Sequence, residues 1–197
     1  MADFFAGKPL HVTTTHKPAE KRQVTVRWEH DDGSDTADID RLIALDPDSF
    51  AKASPTDACN LVARLHQSQV YLQMTSQIAE CDGKAVGYVL LTQVRVGERT
   101  HLLLVGCACD PAGPQETRSK LLSTVLHTAR AGFYSALLAV CEPDALPGVK
   151  LNPVEEHGIT PPSGIPTGRL LIGELIPDGI GTLGGTVTLD PAFEGWL

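Results

Sequence analysis

Leu104-Val105-Gly106-Cys107-Ala108-Cys109-Asp110-Pro111-Ala112-Gly113-Pro114-Gln115-Glu116-Thr117-Arg118-Ser119 holds the decisive transition of this chain. An apolar run ends at Cys107-Ala108-Cys109, and Asp110-Pro111 stops it. After a polar turn, apolar residues recur at helical spacing from about Gln115 to Ala131, with Leu121, Leu122, Val125, Leu126 and Ala129 on one face. Upstream, Leu102-Leu103-Leu104-Val105 is apolar at consecutive positions, as in a strand covered on both faces. Downstream, Gly132 reads as the residue closing the helix, and Ser135 to Val140 as a short buried strand. A strand, a helix and a second strand of these lengths imply a parallel crossover.

The segments on either side extend this pattern. Val24-Thr25-Val26-Arg27-Trp28 alternates like a strand. Ser34 or Asp35 then offers a cap for a helix carrying Ile39, Leu42 and Ile43. Ser54 and Pro55 start a second helix with Ala58, Leu61, Val62 and Leu65 as its stripe, in which Cys59 and His66 read as structural. Val70 to Cys81, Ala85 to Val96 and His101 to Cys109 read as three strands. The first two are joined by Asp82-Gly83, a type I′ turn signal, and the next two by a turn near Gly97. Glu142 to Pro166 is rich in proline and reads as loop. Leu170 to Ile176 and Thr186 to Leu189 read as two last strands around a glycine-rich turn. The expected organisation is an extension at residues 1–23 and a single domain at 24–197.

Composition narrows the function classes. The chain has 197 residues, 42% of them hydrophobic, which suits one globular core. Its net charge of -8 argues against a general nucleic-acid or anionic-membrane surface. No apolar run approaches the length of a membrane span, and no secretory leader is read. Five cysteines without framework spacing suggest reduced thiols and a cytoplasmic protein. Cys107, Cys109 and Cys141 fall near one another in this scheme but lack a C-x2-C pair and a fourth ligand. They read as small hydrophobes, and no metal site is expected.

In order and in motif, the chain resembles the GNAT superfamily of N-acetyltransferases. Asp82-Gly83-Lys84-Ala85-Val86-Gly87-Tyr88-Val89 is similar to the superfamily's turn before an x-V-G-x-x strand. Cys107 to Pro111 resembles the strand end that usually reads L-A-V-x-P. The tail from Gly173-Glu174-Leu175-Ile176-Pro177, through Gly185-Thr186-Val187, to Pro191-Ala192-Phe193 resembles a bacterial branch of predicted acetyltransferases. The resemblance implies an α/β (α+β) GNAT fold, a mixed and mostly antiparallel sheet flanked by helices. It also implies acyl transfer from acetyl-CoA, or another acyl-CoA, to an amine on a small molecule or a protein, with a homodimer as one compatible assembly. In that family the fourth and fifth strands splay, and the cofactor's pantetheine arm lies between them. Amides opening the next helix bind the pyrophosphate. Carried over, the cofactor contacts would be Cys107, Ala108 and Cys109 on the strand, and Gln115, Glu116, Thr117, Arg118 and Ser119 in the turn.

Two departures bear on chemistry. The family's turn continues Q/R-x-x-G-x-G/A, and glycines there let the backbone approach an anion at the helix N-terminus. Here Gln115 to Lys120 all carry side chains, and Pro114 lacks an N–H. Arg118 is the natural phosphate partner, whereas Glu116 adds opposing charge. The turn reads first as an ordinary helix start, with Gly113 as cap, Pro114 first and Glu116 as a capping carboxylate. After the fifth strand the branch carries tyrosines. This chain has Cys141-Glu142-Pro143-Asp144, so the catalytic candidates are Glu142 and Asp144, as bases. Two readings stand side by side: an acyl-CoA-dependent N-acyltransferase, or a non-catalytic GNAT-fold binding or subunit-interaction module. An open cleft between the strands ending at Cys109 and Val140 favours the first; a cleft filled by Leu146 or Val149 favours the second.

Overall fold

A computed structural model describes residues 23–50, 54–181 and 184–196. Of the extension read at 1–23, residues 1–22 lie outside the described residues. The elements, in chain order, are β1 Val24–Trp28, α1 Thr36–Leu45, α2 Pro55–His66, β2 Tyr71–Cys81, β3 Lys84–Val96, β4 Arg99–Cys109 and α3 Thr117–Ala131. They are followed by β5 Ala136–Ala139, β6 Leu151–Pro153, β7 Ile159–Thr160, β8 Leu171–Glu174 and β9 Gly185–Thr188. The main sheet runs β1-β2-β3-β4-β5-β8-β6, with β9 joined to β3 and β7 to β9. Its pairs are antiparallel except β4 with β5, and β7 with β9. This is the mixed, mostly antiparallel sheet expected, with the crossover through α3.

Local chemistry sets most boundaries. Ser54 caps α2 through Oγ, which accepts from the Asp57 amide at 3.2 Å. Asp82 and Gly83 both have positive φ, 52° and 73°, as a type I′ hairpin needs. Four expectations were displaced. Helix α3 starts at Thr117 rather than Gln115, because Gly113 N–H bonds back to Asp110 and Thr117 N–H to Pro114, which spends 113–116 on turns. Glu116 is the residue before the helix and makes no side-chain cap. At the other end, the left-handed residue is Phe133 (φ 62°), not Gly132 (φ -79°). Within 142–166, the expected loop also contains β6, β7 and a 3-10 turn at Val154–His157.

The sheet carries a core on each face. One, against α1 and α2, contains Ile39, Leu42, Phe50, Leu61, Tyr88 and Val105. The other, against α3, contains Val89, Cys107, Leu121, Val125, Leu146 and Val149. On the first face a buried polar cluster ties α2 to the sheet. Glu29 is 5% exposed, accepts from Ser76 Oγ, and pairs with His66 Nε2 at 3.1 Å. His66 is therefore structural, as expected.

The feature that shapes the site is a bulge in β4. Leu90 of β3 faces Gly106 and Leu91 faces Leu104, so Val105 is an extra residue. Before the bulge Leu103 faces α1 and α2; after it Ala108 does, and Cys107 faces α3. The backbone bends where Gly106 lies flat against Phe50, and a Cβ there would sit 2.6 Å from the ring. Replacing Gly106 with Ala forces that ring or the bulge to move, so G106A is expected to lose about 1–3 kcal/mol in denaturant unfolding. Unchanged stability would show that the ring yields freely.

Candidate functional site

Strands β4 and β5 are hydrogen-bonded only from Leu102–Leu104 to Leu137–Ala139. Immediately past Leu104 comes the bulge, and the strands part. The gap between them is an open cavity of about 780 Å³. Leu104 to Cys107 form one wall, and Val140, Cys141 and Glu142 the other. Arg118 and Leu122 of α3 border one end. Asp48, Ser49, Ser54 and Asp57, around the start of α2, border another, with Arg169 and Trp196. Leu146 lines the cavity and Val149 does not; both are buried in the core under α3. The loop after β5 therefore walls the cleft without filling it.

Splaying leaves one edge of β4 without a strand partner. Asp110 N–H donates to Val86 of β3, so by strand alternation the groups of Cys107 and Cys109 point the other way, into the gap. Side chains satisfy them. Cys109 N–H donates to Asp46 Oδ2 at 3.0 Å, and Arg118 Nη1 donates to the Cys107 carbonyl at 2.7 Å. Arg118 Nη2 closes the arrangement on Asp46 Oδ2 at 2.5 Å. Asp46 is the C-terminal cap of α1, where a carboxylate opposes the helix dipole. Contact with a guanidinium and an amide offsets that.

The expected site residues thus separate. Cys107 and Arg118 line the cavity, Cys109 and its partner Asp46 are not part of its lining, and Ala108 is buried on the α1 and α2 side of the sheet. Gln115, Glu116 and Ser119 are exposed at the start of α3, and Thr117 is buried, with Oγ1 donating to the Pro114 carbonyl at 2.7 Å. No side chain caps this helix start, and with Thr117 N–H bonded to Pro114 and Lys120 N–H to Glu116, the amides of Arg118 and Ser119 are the first-turn donors an anion would meet. Glu142 lines the cavity and Asp144 does not. Sequence reasoning missed Asp46, Asp48, Asp57, Arg169 and Trp196. Nothing local in the sequence placed any of them beside β4. The protein's three tyrosines, Tyr71, Tyr88 and Tyr134, do not line the cavity.

Cys107 and Cys109 share the α3 face. The Cys107 thiol donates to Cys109 and Arg118 lies beside both, which holds the Cys109 thiol below its ordinary range. Cys107 is pushed well above that range by the same bond and by burial. Burial also raises Cys141, to about 11.

No family model matches the chain, and no curated protein matches it in sequence. Solved structures do match. A GNAT family N-acetyltransferase (YhbS) from Escherichia coli, in complex with CoA, superposes with a TM-score of 0.74 at 21% identity, over 91% of this chain and 96% of that one. A GNAT family acetyltransferase from Brucella melitensis, in complex with acetyl-CoA, gives 0.65 at 18% identity, over 87% and 99%. One from Staphylococcus aureus gives 0.53 at 14% identity, over 78% and 100%. The chain has the GNAT N-acyltransferase fold, and the expected architecture is borne out.

The thiols offer a check on the site's electrostatics. Iodoacetamide labelling of Cys109 should rise at lower pH than labelling of Cys141, and R118M should move the Cys109 profile to higher pH, read by mass spectrometry. A Cys109 profile unchanged by R118M would show that Arg118 does not act on Cys109.

Proposed function

We propose that this protein is an acyl-CoA-dependent N-acyltransferase. The observation that carries the reading is the open cleft between the parted ends of β4 and β5, with outward-facing backbone groups on one wall. A cleft of this size is in the range of small-molecule and cofactor sites. Two of the matched structures are described as complexes with CoA or acetyl-CoA, and this supports the same ligand class here.

An acyl-CoA, when bound, supplies the thioester acyl group. The chain's own groups do the rest. The Cys107 carbonyl and Cys109 N–H lie on the edge of β4 that has no strand partner, where an amide-bearing arm could pair with them in place of Arg118 and Asp46. The first-turn amides of α3 and the Arg118 guanidinium suit a diphosphate, in which Arg118 takes the place that glycines hold in the family pattern. An amine acceptor would enter beside Asp48 and Asp57, whose carboxylates favour a cation. Glu142 rather than Asp144 is assigned as the base, because Glu142 borders the cavity and can take the amine proton. No tyrosine is available at the cavity wall to protonate the leaving thiolate, so the role that the family gives to tyrosine is not assigned here.

Titration calorimetry with CoA and acetyl-CoA tests the reading. Micromolar binding is expected, and R118E should weaken it by about ten-fold or more through lost phosphate pairing. An E142Q variant that binds acetyl-CoA normally but loses acyl transfer in an amine screen would support the base assignment. Absence of binding at millimolar ligand would favour the alternative, a GNAT fold kept as a binding or subunit-interaction module.

A further inference from the structure

We propose that Asp46 and Arg118 form a latch across the cleft, which an anionic acyl carrier must open in order to bind. The inference rests on the acyl-CoA reading above and concerns how access to that site is controlled.

The two groups that a strand-like ligand arm would use on β4 are already taken. Arg118 holds the Cys107 carbonyl, and Asp46 holds the Cys109 amide. The two side chains are joined to each other through Asp46 Oδ2, which accepts from both the amide and the guanidinium. Side chains from α1 and α3 thus imitate an added strand at that position. The pair is tight in geometry but not sealed: the Arg118 side chain is 48% exposed and that of Asp46 22%. Solvent-exposed pairs of this kind contribute little net stability, so a polyanion can compete for the guanidinium. Arg118 also lies in the first turn of α3, beside which phosphates would sit. Its transfer from Asp46 to a phosphate would release the Cys107 carbonyl in the same movement. The carboxylate left behind would be uncompensated beside an anion, which favours withdrawal of Asp46 from the Cys109 amide. A negative residue is therefore retained at a place where it lowers affinity for the ligand, and its removal should raise that affinity.

The full-length chain and its D46N, D46A and E116Q variants should be titrated with CoA by calorimetry. D46A is expected to bind about ten-fold more tightly than the parent, and D46N to show a smaller gain, because its amide oxygen still accepts from Cys109 but no longer holds the arginine as a charge. E116Q removes a negative charge at the same helix start with no tie to Arg118. A gain equal to that of D46N would reduce the effect to general electrostatics and overturn the latch. Equal or weaker binding by D46N, at an unchanged melting temperature, would overturn it as well while leaving the acyl-CoA reading intact. Failure of every protein to bind CoA would instead remove the acyl-CoA reading, and the latch with it. Hydrogen exchange at the Cys109 amide supplies an independent readout. D46A should exchange faster than the parent without ligand and become protected again when CoA is added. An exchange rate unchanged by D46A would show that Asp46 does not guard that amide.

Discussion

The separation of β4 from β5 is the constraint on which the site depends. A sheet normally satisfies every backbone N–H and C=O along both edges of an interior strand, and leaving a buried edge unmet is costly. Here pairing stops at Leu104 and Ala139 because Val105 is inserted as a bulge and Gly106 is pressed against Phe50. The strand turns, and its last residues present an edge to a cavity. That edge must find partners in the free protein, in a ligand complex, or in both.

The partners come from elements that have no neighbourhood in sequence. Asp46 ends α1 and Arg118 lies in the first turn of α3, on opposite faces of the sheet, and they meet at the gap. The two helices are each anchored by their own core, so the latch is held from both sides. Further anchoring of α1 comes from Arg41, which donates to the Ala85 carbonyl at 2.6 Å and lies 3.6 Å from Asp110. The end of β4 is thus gripped by α1, by β3 and by α3. A rigid frame around one unpaired edge is what a site needs if it is to accept an extended ligand without reorganising the fold.

On the proposed acyl-CoA reading, the absence of the family's glycines from the turn before α3 also acquires a physical sense. A glycine turn binds an anion with backbone amides alone, whereas an arginine in the first turn of the helix can reach either strand or ligand. The long side chain supplies a mobile cation where the family pattern supplies close approach. The depressed Cys109 thiol owes most to its hydrogen bond with Cys107, and the charge of Arg118 adds to that.

How much was legible in the sequence follows from the range of each signal. Helix stripes, the Ser54-Pro55 start, the Asp82-Gly83 hairpin and the strands read from local alternation are set by residues within a few positions of one another, and these appear in the structure, whereas the short strands β6 and β7 in the proline-rich segment were not read. Boundaries that depend on competing turns, such as the start of α3 or the left-handed Phe133, went to the geometry that closed the local hydrogen bonds. The bulge at Val105 was invisible, because a run of consecutive apolar residues looks the same whether or not its alternation slips. Once it slips, every side chain beyond it changes face. The cleft, the position of Glu142 on its wall, and the meeting of Asp46 with Arg118 lie across 72 residues of separation or depend on strands diverging in space. The amino-acid order alone determined the periodicities and turns that build the GNAT fold. Only the tertiary structure decided which backbone groups were left without a strand and which charges came to hold them, because those choices are made by packing between distant elements.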